Sequence, residues 1–308
     1  MLNENYESLG QELKDRFPTA TILFEEPMKG HTTFRIGGPA DIYIEPDYSD
    51  IIPLIDFIKA EGAAFTIIGN GSNLLVMDDG IEGVVISLGK KASDILISGD
   101  TIIAEAGALL SQVSNAAADA CLTGMEFASG IPGSIGGAVY MNAGAYGGEI
   151  KDIIESVLVL TESGEKKVMT AEDLQLSYRY SILMEEGGYV LSAVLKLKSG
   201  DKNEIKATID DIRAKRTEKQ PLNFPSAGST FKRPEGYFAG KLIDDAGLRG
   251  YTVGGAQVSK KHCGFVINRD NATAKDVLQL MQDVDSKVYE KFGVHLVPEV
   301  RIIGRNID

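Results

Sequence analysis

The chain has 308 residues, 24% of them charged and 44% hydrophobic, the balance of a soluble globular protein long enough for two or three lobes. Its net charge of -13 argues against a general nucleic-acid binder, which needs a basic face, yet permits a small anionic ligand held by a few local cations. Cys121 and Cys263 stand far apart and His31, His262 and His295 are scattered, so neither a disulfide nor a zinc-type metal site is expected. The acidic start Met-Leu-Asn-Glu-Asn-Tyr-Glu lacks a signal-peptide core, and no apolar run approaches membrane-spanning length, so a cytoplasmic location without membrane insertion is expected.

Residues 5–17 alternate apolar and charged groups at helical spacing (Tyr6, Leu9, Leu13, Phe17), and Pro18 closes the segment. Asp50 to Glu61 reads as a helix with Ile51, Leu54, Ile55 and Ile58 on one stripe and Gly62 as its stop. A short strand, Ala64 to Ile68, runs into Gly69-Asn70-Gly71-Ser72-Asn73. Val84 to Leu88 and Thr101 to Glu105 read as further strands, and Leu110 to Cys121 as an Ala-rich helix. Ser156 to Leu160 and Lys166 to Met169 form a hairpin pattern around Glu162-Ser163-Gly164-Glu165, and Tyr189 to Leu197 is another strand. The polar turn Ser199 to Asn203 marks a lobe boundary. Beyond it come helices at Glu204 to Lys215, Tyr237 to Ala246 and Thr273 to Phe292. The last has Thr273 and Asp276 as a capping-box start and Gly293 as a stop. A final strand is expected over Val294 to Ile303, with Val300 and Ile302 on one face and Glu299 and Arg301 on the other.

The most informative stretch is Gly124 to Gly148, with glycines at 124, 130, 133, 136, 137, 144, 147 and 148 and Glu126 as the sole charge before Glu149. Glycine costs backbone entropy in regular elements, so this density points to close approach of backbone amides to a large anionic ligand; a run of tight turns is the alternative. Gly69 to Asn73 follows a strand and offers successive amides as a nest for phosphate oxygens, although alone it reads equally well as a plain turn. It is neither a Walker loop nor a Gly-x-Gly-x-x-Gly fingerprint. Two amide-rich segments together suit a ligand with two phosphates and an extended body.

These segments, with Thr33-Phe34-Arg35-Ile36-Gly37-Gly38-Pro39-Ala40, Leu176-Ser177-Tyr178-Arg179-Tyr180-Ser181, Ala227-Gly228-Ser229-Thr230-Phe231-Lys232-Arg233-Pro234, Ala239-Gly240-Lys241-Leu242-Ile243 and Pro298-Glu299-Val300-Arg301, resemble the UDP-N-acetylenolpyruvoylglucosamine reductases, in their shorter, type II form without an inserted tyrosine loop. The likeness covers roughly residues 30 to 304. It implies an α+β fold: an N-terminal helical segment (1–29), a two-lobed FAD-binding domain of the vanillyl-alcohol-oxidase/PCMH type (30–199, divided near 95), and a C-terminal α+β substrate domain (200–308). It implies non-covalent FAD, NADPH as hydride donor, and an enolpyruvyl UDP-sugar as substrate in peptidoglycan synthesis. Oligomeric state is not encoded in these patterns; a monomer satisfies them.

By the same resemblance Arg35, Gly69, Asn70, Gly71, Ser72, Asn73, Ile131, Pro132, Gly133, Ser134, Gly137, Ala138, Asn142 and Gly144 bind the cofactor. Read from its residue type alone, Arg35 serves equally as a surface ion pair. Ser229 becomes the proton donor, where an isolated loop serine is otherwise a turn or cap residue; no Gly-x-Ser-x-Gly elbow surrounds it. Arg179 and Glu299 become the stabilisers of an enolate, where a structural ion pair and a solvated strand-edge carboxylate are the alternatives. Tyr178, Arg216, Lys232, Arg233 and Lys241 are candidates near the UDP-sugar; the cluster Arg213, Lys215, Arg216 and Lys219 also fits a solvated helix end. Two competing readings are an oxidase sharing the flavin domain and a binding module without chemistry. Covalent flavin attachment through His or Cys is disfavoured, because the glycine segments contain neither.

Overall fold

The structure, a computed structural model, describes residues 4–306. Helix α1 (Glu4–Arg16) buries Leu9 and Leu13, and Phe17 follows it into the same core. The expected N-terminal helical segment ends there: Thr21–Pro27 is a strand, β1, whose alternating burial pairs it antiparallel with β2 (Pro39–Glu45). Its apolar-polar alternation suits a half-buried edge strand, a signal masked by the flanking acidic residues.

Helix α2 (Ile51–Ala60) buries the predicted stripe Ile51, Leu54, Ile55 and Ile58. It crosses to β3 (Phe65–Ile68). Then come β4 (Leu74–Val76) and β5 (Ile81–Ser87). The first sheet has the order β1-β2-β5-β3, with β5 parallel to both β2 and β3, so β3 forms one edge. A second sheet collects β6 (Ile95–Ser98), β7 (Thr101–Glu105), β8 (Ile154–Leu160), β9 (Lys166–Thr170) and β10 (Tyr189–Lys196). Its order is β9-β8-β10-β7-β6 and it is antiparallel throughout. Helix α3 (Leu110–Asp119) packs beside it. Within the glycine-rich stretch Ile135–Tyr140 forms a short helix, α4, because Ile135, Ala138 and Val139 are buried on one side despite Gly136 and Gly137.

Asp201 caps α5 (Lys202–Lys219), its carboxylate accepting from the amides of Asn203 and Glu204, so this helix is longer than its apolar stripe suggests. Helix α6 (Ala239–Asp245), a small sheet of β11 (Thr252–Val253), β12 (Ala256–Val258) and β13 (Val266–Asn268), and helix α7 (Ala274–Phe292) follow. Thr273 and Asp276 form the capping box, and Gly293 ends α7 with φ +67°. The expected strand over 294–303 shrinks to β14 (Arg301–Ile303), which pairs parallel with β4. Pro298 cannot donate to a ladder, so residues 297–300 instead bond to the distant segment at Thr230 and Lys232.

Two large cores result. One joins α1, α2, α3 and both big sheets. The other surrounds α7 and draws Phe34, Ile36 and Leu75 out of the N-terminal half. A cleft opens where β3, the 69–73 loop, the 131–146 run and the C-terminal segments meet.

Candidate active site

The cleft holds about 740 Å³. Its amide-rich wall comes from two loops held at close range. A Cβ added to Gly69 would lie 2.1 Å from the Ser134 hydroxyl, and one on Gly71, whose φ is +60°, would lie 2.1 Å from the His31 carbonyl oxygen. The Asn70 side-chain amide donates to the Pro132 carbonyl at 2.5 Å, tying the loops together. The amides of residues 70–73 have no backbone acceptor among the described residues. The Ser134 hydroxyl is buried in the wall without a hydrogen-bond partner there. Buried polar groups in native proteins are normally satisfied, so this surface is built for a ligand rich in acceptor oxygens.

A charged cluster stands elsewhere in the cleft. Arg179 sits in a tight turn closed by the reciprocal bonds of Ser177 and Tyr180, with φ +55°. A non-glycine residue in that region costs on the order of 1 kcal/mol, which the turn must hold. The guanidinium Nε donates to Glu299 Oε1 at 2.5 Å and Nη2 to the Gly144 carbonyl at 3.2 Å. The two side chains are only 19% and 12% exposed. Burial raises the Glu299 carboxyl above the usual carboxylate range, against the opposing pull of Arg179 and Lys232.

Ser229 reaches the cleft because its neighbours are pinned. The Thr230 amide donates to Gly264, its hydroxyl accepts from Val266, and its carbonyl accepts from Glu299 at 2.8 Å. The Thr33 hydroxyl donates to the Ser226 carbonyl at 2.7 Å. The Ser229 hydroxyl makes no hydrogen bond among the described residues. Arg216, half-buried on α5, packs against Gly130, and burial lowers its guanidinium below its ordinary value. It has no acidic partner among the described residues, which leaves its charge for a ligand.

Of the residues expected at the site, Gly69, Asn70, Gly71, Ser72, Asn73, Ile131, Pro132, Gly133, Ser134, Gly137, Ala138, Gly144, Arg179, Arg216, Ser229 and Glu299 line this one cleft. Six do not. Asn142 is fully buried, its side chain bonded to Glu149, Ser177 and the Lys151 amide, so it braces the wall from behind. Arg35 is exposed, with its carbonyl bonded to Asn268. Lys241 pairs with Asp245 one turn away on α6. Arg233 lies over the Phe238 ring and its amide donates to the Tyr178 hydroxyl, an exposed cluster outside the cleft wall. Lys232 acts on Glu299 only through its field. Sequence reasoning missed Tyr146, Gln220 and Phe265 in the wall, and it named Arg301 without a role. Arg301 lines the cleft beside Glu299, at the start of β14, and lies over the Tyr140 ring.

Comparison with known proteins bears directly on this cleft. Residues 220–303 match the family described as UDP-N-acetylenolpyruvoylglucosamine reductase, C-terminal domain, and residues 40–170 match an FAD binding domain. A UDP-N-acetylenolpyruvoylglucosamine reductase of Agathobacter rectalis is 57% identical over 306 residues, covering 96% of this chain and 98% of that protein. One from Caldanaerobacter subterraneus subsp. tengcongensis is 51% identical, covering 97% and 99%. The chain belongs to the UDP-N-acetylenolpyruvoylglucosamine reductase family. The crystal structure of the Thermus caldophilus reductase superposes with a TM-score of 0.78 at 36% identity, over 92% of this chain and 98% of that one. The protein is thus an FAD-dependent oxidoreductase of α+β fold, with the FAD-binding domain and the family's C-terminal domain both present. The close-set glycines, the unengaged amides of 70–73 and the unpartnered Ser134 hydroxyl fit a cofactor carrying two phosphates. No helix among the described residues is long and apolar enough to cross a membrane, and no group of three or more His, Cys, Asp or Glu there could hold a metal.

Proposed function

We propose that the protein reduces the enolpyruvyl ether of UDP-N-acetylglucosamine to UDP-N-acetylmuramate, with NADPH as electron source, in peptidoglycan synthesis. The observation that carries this reading is the joint presence of Arg179, Ser229 and Glu299 in the same cleft as the glycine loops. When bound, FAD relays hydride from the reduced nicotinamide to C3 of the enolpyruvyl group. Gly69–Asn73 and Ile131–Ala138 would hold its diphosphate through amides and the Ser134 hydroxyl.

Hydride at C3 leaves a pair of electrons at C2, delocalised into the carboxylate. Arg179, already largely desolvated and fixed by Glu299 and Gly144, stabilises that charge as it develops. Ser229 gives the proton to C2, its hydroxyl being held in the cleft without a competing partner. A serine hydroxyl is a weak acid, so the enolate must be basic and the resulting alkoxide must be reprotonated quickly. Glu299, with its carboxyl shifted upward by burial, is suited to hold and return that proton. Arg216 offers an unpaired cation to the substrate diphosphate.

The reading is tested by anaerobic stopped-flow absorbance at the flavin band. NADPH should bleach the band, and colour should return only on adding the enolpyruvyl UDP-sugar. Recovery in oxygen without response to that substrate would overturn the proposed substrate. A protein that takes up no FAD would overturn the cofactor assignment as well.

A further inference from the structure

The loop Gly69–Asn73 is fastened to the segments that carry Ser229 and Glu299, and two side chains outside the chemistry above make the links. Asn73 ends the loop. Its side-chain amide donates to the Glu299 carbonyl oxygen at 3.1 Å, and its own carbonyl accepts from the Arg301 amide at 2.9 Å. Its backbone amide has no backbone acceptor among the described residues. Asn73 therefore offers the cleft a backbone donor while its side chain holds the segment of Glu299.

Thr33 makes the second link from outside the cleft wall. Its amide donates to the Gly71 carbonyl at 3.3 Å. Its hydroxyl donates to the Ser226 carbonyl at 2.7 Å, and its carbonyl accepts from the Ser226 amide at 3.2 Å. One residue thus touches both the loop and the segment that leads to Ser229. The turn presenting Thr33 is itself firmly held. Phe34 is buried in the core around α7, the Thr32 hydroxyl donates to the Ile36 carbonyl at 3.1 Å, and the Asn268 side chain donates to the carbonyls of Phe34 and Arg35. Beyond Ser226, Ala227 is buried, but Gly228 has φ +77° and nothing within 4 Å of an added Cβ. Packing does not stiffen the backbone at Gly228, so Ser229 depends on the bonds at Ser226 on one side and Thr230 on the other.

We propose that Thr33 and Asn73 are positioning residues: they register the proton donor and Glu299 against the cofactor through the loop that faces its diphosphate. The proposal rests on the functional reading above. In that reading the proton must arrive at the carbon next to the one that takes hydride, yet the loop and Ser229 belong to different halves of the chain. Their separation is set only by contacts that cross between the halves, and Thr33 and Asn73 supply two of them by side chain. A misplacement of about 1 Å can cost roughly a hundredfold in rate, so even a partial slip should register. Bleaching by NADPH needs neither Ser229 nor Glu299, so the links matter to one half-reaction alone.

Anaerobic stopped-flow absorbance of the FAD-loaded protein separates the half-reactions at saturating NADPH or enolpyruvyl UDP-sugar. Thr33→Val removes the hydroxyl and keeps the volume, and Asn73→Ala removes the side-chain amide and keeps the backbone one. Each loses a single hydrogen bond and should slow reoxidation by the enolpyruvyl UDP-sugar about three- to tenfold. Bleaching by NADPH and the affinity for FAD should stay at parental values. Thr33→Ser keeps the hydroxyl and should reoxidise at the parental rate. A parental rate of reoxidation in either Thr33→Val or Asn73→Ala would overturn the paired links. Equal slowing in Thr33→Val and Thr33→Ser would overturn the role of the hydroxyl. Equal slowing of both half-reactions, or a loss of FAD affinity that accounts for the slowing, would mean a merely structural role and would overturn the proposal too. Failure of the unsubstituted protein to reoxidise with this substrate is a separate result, and it would overturn the functional reading itself.

Discussion

Ser229 owes its position to neighbours that do no chemistry. Thr230 is bonded through its amide, hydroxyl and carbonyl, so the serine cannot move far, yet its own hydroxyl has no partner among the described residues. Ser229→Ala should therefore leave the fold and FAD binding intact. Its half-reaction with NADPH should be native, while reoxidation by the enolpyruvyl substrate slows about 10²- to 10⁴-fold, the usual range for losing a positioned proton donor. Stopped-flow traces of the two half-reactions separate these steps; equal slowing of both would mean that the serine positions the flavin rather than donating a proton. Glu299 gives a pH signature. Its carboxyl is raised by burial, so the folded protein holds this proton more tightly than the unfolded chain. That contribution to stability is complete below the unfolded value of about 4.3 and is lost as pH rises through the higher folded value. Across that window Glu299→Gln should show a flatter dependence of melting temperature on pH than the parent. Parallel profiles would mean that Arg179 outweighs burial.

At the level of elements, the loop Gly69–Asn73 carries the strongest steric demand. Gly71 combines φ +60° with a backbone oxygen 2.1 Å from any added Cβ, and backbone cannot swing aside as a side chain would. Gly71→Ala should cost on the order of 1–3 kcal/mol, seen as a lower melting temperature and weaker FAD uptake in titration. A native FAD affinity in that variant would show that the loop lies off the cofactor path. The same element shows why parts of the site were legible. Glycine density and a strand ending in small residues are local signals, and both loops proved to line one cleft. Glu299 and Arg301 both reach the cleft, although Glu299 lies outside the strand whose alternation was to place it there. Long-range partners were not legible. Nothing near Asn142 tells that its amide would be taken by Glu149 and Ser177, nor near Lys241 that Asp245 would hold it. The 294–303 strand failed for a related reason: its apolar pattern was right, but Pro298 and the bonds to Thr230 decide the backbone. Strand β1 was missed because its alternation is masked by acidic neighbours, and β2 because its pairing defines it.

Across the whole molecule, the C-terminal core is not independent of the cofactor loop. Leu75, in the strand that leaves that loop, belongs to the same cluster as Val277, Met281 and Val284 of α7. Arg301–Ile303 adds to Leu74–Val76 in parallel register. Asp78, just beyond β4, accepts from the amides of Ala274 and Lys275 at 2.8 and 3.1 Å, so a residue of the N-terminal half helps cap α7. Arg305 adds an ion pair with the buried Asp41 at 2.6 Å. No residue of α7 lines the cleft. FAD bound to the 69–73 loop should nonetheless steady β4 and, through Leu75 and Asp78, the helix packed on it. At a hundredfold excess over its dissociation constant the cofactor stabilises the native state by about 2.7 kcal/mol. If β4 couples the two cores, amide exchange should slow along Val277–Val288 as well as in β3 and α4 when FAD is added. Slowing confined to the cleft elements would mean that the C-terminal core opens on its own. Asp78→Ala then distinguishes the route. It removes the shared cap at a cost of about 1 kcal/mol, and it should weaken the protection of α7 by FAD while leaving that of β3 unchanged.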